Sequence, residues 1–337
     1  MRRVLGVAVV TVVALVWGSA IGGAAPSKHA LPTAGKVVAS IPIPAGYGGF
    51  SVGAHGVWAL TDDVSRLSRI DPAKNAVTAR ITVKPTNPCP DFVCGEPAEG
   101  EGALWVPRAS DNAVFRLDPA SNKVMAKIPV GALPTAVALT PGAVWVANGG
   151  GDRNGRIEGP SISRIDPATN AVVATIELGP AAIASFSTSV AAGAGSIWAG
   201  VSGLRAVVRI DPATNEIVAK VHVSLVPCGH LTADQRGVWA SAGNCAPAPG
   251  IARIDPGTNR QTRTVKGELA PIGLALGFGS LWVADLNRQA VDRIDPRTGR
   301  ITGRLPVGGK PVRIGVGFGS VWVRSDTGRV LRIRPTR

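Results

Sequence analysis

The chain has 337 residues, 45% of them hydrophobic and only 4% aromatic, with 42 Gly, 27 Pro and a formal net charge of +14. That hydrophobic fraction excludes an intrinsically disordered chain, and beyond the N-terminus no apolar run reaches the roughly 18 residues of a spanning helix, which excludes a multi-span membrane protein. Glycine and proline make up about a fifth of the residues, so the composition points to a large core threaded by tight turns.

At the N-terminus, Arg2 and Arg3 precede an apolar run over 4–16 and small residues up to Ala25. This is the layout of a secretory signal peptide, cleaved after Ala20 or Ala25, with an uncleaved anchor as the rival reading. The expected organisation is a signal peptide over 1–25, a polar linker over 26–35 and one folded domain over 36–337. Export gives the cysteines their meaning, since Cys89, Cys94, Cys228 and Cys245 form an even set in an oxidising compartment. Three pairings are open, and the local one, Cys89–Cys94 with Cys228–Cys245, is expected. No pair has the spacing of a zinc site, and no cofactor is expected.

From residue 36 onward one unit recurs. The string Arg-Ile-Asp-Pro appears at Arg69, Arg164, Arg209, Arg253 and Arg293, with Leu for Ile at Arg116 and a degenerate copy at Arg332. A tryptophan precedes each copy: Trp58, Trp105, Trp145, Trp198, Trp239, Trp282 and Trp322, spaced by 40 to 53 residues. Such a period marks a repeat architecture. Each unit reads as four short strands with period-2 alternation. In the turn after the third strand Pro presets φ, Asp accepts from N–H groups two residues on, and Asn or Gly tolerates the left-handed region. The repeated aspartates are therefore turn residues rather than catalytic ones. Each Trp lies between apolar neighbours in the second strand, where a large ring fills the space between adjacent sheets. The last unit stops after its third strand, and residues 36–43 match a fourth strand. The expected fold is all-β: one seven-bladed β-propeller of four-stranded blades, its last blade closed by the N-terminal strand.

The phrase over 162–179, Ile-Ser-Arg-Ile-Asp-Pro-Ala-Thr-Asn-Ala-Val-Val-Ala-Thr-Ile-Glu-Leu-Gly, and Val144-Trp-Val-Ala-Asn148 before it resemble the YVTN repeat of bacterial surface propellers. The unit is also similar to the streptogramin (virginiamycin B) lyase group, and the resemblance spans nearly all of 36–337. It implies a propeller fold and, through the lyases, a His with nearby carboxylates and a divalent cation. Where that group has Glu, three residues after each Trp, this chain has Thr61, Arg108, Asn148, Val201, Ala242, Asp285 and Ser325. Only Asp285 keeps a carboxylate.

Comparison of the repeats directs the search for a site: positions that agree across blades serve packing, and positions that break the pattern are candidates. The longer connections, over 84–97, 149–160, 179–187, 225–228 and 241–250, all fall on one face, and loops on a rigid scaffold are where binding resides. Nine residues before the tryptophans, small residues are the rule, as at Ser189, and Glu96, His230 and Arg313 depart from it. Eleven before, Tyr47 stands where Pro is the default. Binding candidates are thus Glu96, Arg313, Tyr47 and Ser189. His230, Asp285 and Glu268 are the candidates for acid–base chemistry, as a metal-assisted lyase or hydrolase. The three remaining histidines, His29, His55 and His222, have no partners in register. With Arg2 and Arg3 removed the charge is +12, and the seven repeat arginines read as a basic rim favouring anionic envelope polymers or acidic proteins. Nucleic acid is disfavoured, since one Tyr and six Phe offer no stacking platform. The leading expectation is an exported monomeric binding module, extracellular, periplasmic or envelope-associated, with its partner on the loop face.

Overall fold

A computed structural model describes residues 31–61, 65–83, 95–153, 155–183, 188–243, 247–266 and 269–336. They form seven four-stranded antiparallel sheets arranged as the blades of a propeller. Six blades take their strands in chain order. Blade 1 is Phe50–Val52, Val57–Leu60, Arg66–Asp71 and Ala76–Thr82; blade 3 is Pro134–Thr140, Ala143–Asn148, Ser161–Asp166 and Ala171–Glu177. Blade 7 takes Pro311–Gly317, Ser320–Ser325 and Arg329–Pro335 from the end of the chain and adds Gly35–Pro42 as its outermost strand, antiparallel to Arg329–Pro335. The expected closure is what the ring has. The connection over 149–160, expected as a loop, instead holds a hairpin of Gly151–Arg153 and Arg156–Glu158. The proposed signal segment lies outside the described residues.

Burial follows strand order. Second strands such as Ala103–Arg108 and Ser280–Asp285 are buried at every residue, whereas outer strands such as Ala171–Glu177 alternate between exposed and covered positions. Each blade tryptophan is buried and each belongs to a cluster shared with the next blade. Trp58 packs with Val106 and Phe115 of blade 2, Trp198 with Val238 and Ile254 of blade 5, and Trp322 with Val57 and Ile70 of blade 1. The rings are the mortar between sheets, and losing one by Trp→Ala costs about 3–5 kcal/mol.

The turns also form as the sequence dictates. Asp71 accepts from the N–H groups of Ala73 and Lys74, and Asp255 from those of Gly257 and Thr258. Asn75, Asn122, Asn170, Asn215 and Asn259 stand at φ between 50° and 63°. Backbone N–H donation leads the causes that lower the carboxyls of Asp71, Asp166, Asp255 and Asp295; for Asp118 the Ser121 hydroxyl leads.

The repeat arginines do not form a free basic rim. Every one stacks over the tryptophan of its own blade, at 5.0–5.7 Å from guanidinium carbon to ring centroid. Most then reach the turn of the following blade. Arg69 donates to the Pro119 carbonyl at 2.8 Å, Arg209 to the Pro256 carbonyl and the Asn259 side chain, and Arg332 to Pro72 and Asn75. The positive charge sits on a ring face and its hydrogens on carbonyls, an arrangement worth more partly desolvated than in water. Thus the cation expected to attract ligands is an inter-blade clasp. His55 also has a partner after all: its ring Nδ1 meets Glu99 on the first strand of blade 2, and the same carboxylate accepts from the Trp58 indole at 2.6 Å.

Candidate ligand site at the centre of the ring

The innermost strands run close together, and the usual residue nine before each Trp is small for that reason. A Cβ at Gly49 would collide with the Gly95 carbonyl, and one at Gly273 would press on Ile314 of the next blade. Glu96, His230 and Arg313 occupy this same position in blades 2, 5 and 7. Residues of three non-adjacent blades touch only by projecting to the axis, and these three do. Glu96 Oε2 lies 2.9 Å from His230 Nε2, and Glu96 Oε1 lies 3.0 Å from Arg313 Nε. The side chains are 23%, 25% and 16% exposed, half-covered but open to solvent.

The backbone fixes each group. The Glu96 N–H donates to the Thr135 carbonyl at 2.8 Å and bridges to Ala136, its counterpart in blade 3. His230 is held by Ser241, whose Oγ accepts from the His230 N–H at 2.8 Å and whose N–H donates to the His230 carbonyl at 3.0 Å. Arg313 donates from Nη1 to the Val312 carbonyl at 2.9 Å. Burial alone raises the Glu96 carboxyl, but His230 and Arg313 outweigh it and bring it down to about 2. At neutral pH the axis therefore carries one carboxylate clamped by an imidazole and a guanidinium. The second imidazole nitrogen, Nδ1, is buried without a hydrogen-bond partner.

The other nominated residues lie elsewhere. Asp285 is fully buried and faces its own blade: it accepts from the Ala270 N–H at 3.0 Å and pairs with Arg288 at 3.1 Å. Tyr47 packs on Ala270, Leu286 and Val312. Ser189 lies in the first strand of blade 4, paired with Gly200. Glu268, Cys89, Cys94 and Cys245 lie outside the described residues, as does the expected cysteine pairing; Cys228 is disulfide-bonded.

Sequence comparison missed a charged quartet in blade 6, two buried aspartates paired with two half-buried arginines. Asp292 pairs with Arg304 through two contacts at 2.6 and 3.1 Å, and Arg288 lies between Asp285 and Asp292. Burial leads the causes that raise the Asp292 carboxyl. Ser68, Phe115, Ser163, Val208, Ala252 and Leu331 hold the equivalent position, so the same rule applied one residue before each repeat arginine would have found it.

These donors do not suit a divalent cation. Glu96 is already committed to His230 and Arg313, Asp285 faces Ala270 and Arg288, and among the described residues no group of three or more His, Cys, Asp or Glu is placed to hold a metal.

No family model matches the chain and no curated protein matches it. Solved structures do. Virginiamycin B lyase from Staphylococcus aureus superposes with a TM-score of 0.66 at 15% identity, covering 88% of this chain and 99% of that one. The chain shares the fold of that lyase. Hydrazine synthase of Kuenenia stuttgartiensis aligns equally well, with a TM-score of 0.69 at 14% identity over 87% and 96% of the two chains. BamB from Moraxella catarrhalis gives 0.60 at 16% over 86% and 82%. Proteins of such different titles on one scaffold make the likeness one of architecture, and function has to be argued from the site.

Proposed function

We propose that the chain is an exported β-propeller binding module whose loop face, centred on Glu96, His230 and Arg313, takes a protein or an anionic envelope ligand. The convergence of those three residues at the axis carries the reading. Repeat positions elsewhere are spent on clasps and turns, while these break the pattern, come from three blades and meet in a half-open setting. A guanidinium and an imidazole facing a single carboxylate favour an incoming acidic group, which offers them the same partner that Glu96 does. The N-terminal pattern and the four cysteines support export. Among the described residues no helix is long and apolar enough to cross a membrane.

The test uses the secreted full-length chain and polygalacturonate as an acidic polymer probe, read by surface plasmon resonance at fixed salt. Arg313→Gln and His230→Ala are each expected to weaken binding by about tenfold, the loss of roughly one charge-assisted contact. Unchanged binding in both variants, with melting curves showing an intact ring, contradicts the reading. Mass spectrometry of the secreted protein is expected to find a mature N-terminus at Ile21 or Pro26; retention of Met1 on the exported chain points to the anchor.

A further inference from the structure

The clasp that joins neighbouring blades is not equally complete at every seam. Arg209 uses three hydrogen bonds: Nε to the Ser196 hydroxyl at 2.9 Å, and Nη1 to Pro256 and Asn259 in the next blade. Arg293 and Arg332 likewise donate from Nε to Ser280 and Ser320, both at 2.8 Å. Arg164 of blade 3 makes a single hydrogen bond, from Nη1 to the Asn215 side chain at 2.9 Å. Its Nε has no serine to meet, because Ala143 stands where Ser196, Ser280 and Ser320 stand in blades 4, 6 and 7. Nor does it reach the Pro212 carbonyl, the partner that Arg69, Arg116, Arg209 and Arg332 find in their own next blades.

Beside this reduced clasp there is a groove. A cavity of about 510 Å³ opens between blades 3 and 4 on the face of the short turns, opposite the loop face, and Arg164, Thr140, Ser196, Pro212 and Gln235 are among its walls. The volume falls within the range of small-molecule sites. Each of its two hydroxyls already accepts one hydrogen bond. Thr140 Oγ1 accepts from the Trp145 indole at 2.9 Å, and Ser196 Oγ accepts from Arg209 at 2.9 Å. Each also carries a rotatable O–H that can donate, beside the N–H groups of Arg164 that Asn215 does not engage. Asp166, whose carboxyl Arg164 helps to lower, accepts from the Ala168 N–H and the Thr169 hydroxyl, and Asp211 accepts from the Ala213 N–H. The groove therefore presents a guanidinium and two hydroxyl donors to anything that enters.

We propose that this groove binds a small oxyanion-bearing ligand, a carboxylate or phosphate group held by Arg164, Thr140 and Ser196. The guanidinium supplies the charge and its planar fork, and the hydroxyls supply the remaining donors. The proposal does not depend on the loop-face reading, because the two sites share no residue.

Isothermal titration of the secreted chain with glucuronate and, separately, inorganic phosphate tests it. Saturable binding of at least one is expected; tighter glucuronate marks a sugar-acid site and tighter phosphate a phosphate site. Ala213→Glu places a carboxylate at the groove rim without touching the clasp and is expected to weaken binding by about tenfold. Ala143→Ser installs the residue that blades 4, 6 and 7 already tolerate, gives Arg164 Nε an internal acceptor, and is expected to weaken binding severalfold while raising the melting temperature. No saturable binding of either probe, or binding that is indifferent to both Ala213→Glu and Ala143→Ser, overturns the proposal; the second outcome assigns the anion to another surface.

Discussion

Glu96 shows how one side chain ties position, charge and stability together. Its carboxyl is held near 2 in the folded ring against 4.5 for an unperturbed glutamate. The unfolded chain thus takes up the proton at higher pH than the folded one does, so the contribution is complete above pH 4.5 and is lost as pH falls toward 2. Glu96→Gln removes that dependence. Thermal melts between pH 7 and pH 2 are expected to show a shallower acid limb for the variant; superimposable limbs refute the ion pair as a source of stability. Asp292 makes the opposite case, a carboxylate buried at a cost that Arg304 only partly offsets. Cutting it alone, as Asp292→Ala, leaves the half-buried Arg304 guanidinium short of its partner and is expected to cost about 1–3 kcal/mol. Exchanging both for the Ser163 and Thr175 pair that faces across the same strands in blade 3, as Asp292→Ser with Arg304→Thr, is expected to cost far less. Chemical denaturation of the single and double variants separates the two outcomes.

Among elements, the seam between blades is where local sequence acquires long-range meaning. Arg209 spans blades 4 and 5, whereas Arg253 spends its donors inside blade 5, on Thr262 and the Arg236 carbonyl. Blade 6 has Gly299 where its siblings have Asn, and Arg263 meets the Thr298 carbonyl instead. Arg209→Gln is therefore expected to destabilise by about 2–3 kcal/mol, through the lost stack and three lost hydrogen bonds, two of them across the seam, and Arg253→Gln by less. Equal losses in urea denaturation contradict the clasp. The turns and the tryptophans were legible because their causes are local: a Pro that sets φ, an Asp that caps two N–H groups, a ring between apolar neighbours. The role of the arginines was not, because their partners lie some 50 residues away and a guanidinium two residues from an aspartate reads as a surface pair. Nothing in the single strand announces the carbonyl of the next sheet.

At the scale of the whole molecule, symmetry made the site partly readable. Aligning blades nominated Glu96, His230 and Arg313, and the ring brings those three together although 217 positions separate the first from the last. The same comparison could not exclude Asp285 or Tyr47, since a buried structural carboxylate and a packed ring break a repeat as readily as a ligand does. Distance from the axis, which separates them, exists only once the ring is closed.

Closure is the claim on which the rest stands, and native-state hydrogen exchange tests it directly. The amides of Gly35–Pro42 that bond to Arg329–Pro335 are expected to exchange as slowly as those of the outer strand Ala171–Glu177 in blade 3. Exchange of 35–42 at the rate of an unstructured peptide, with the other blades protected, contradicts the seven-bladed ring closed by its own first strand.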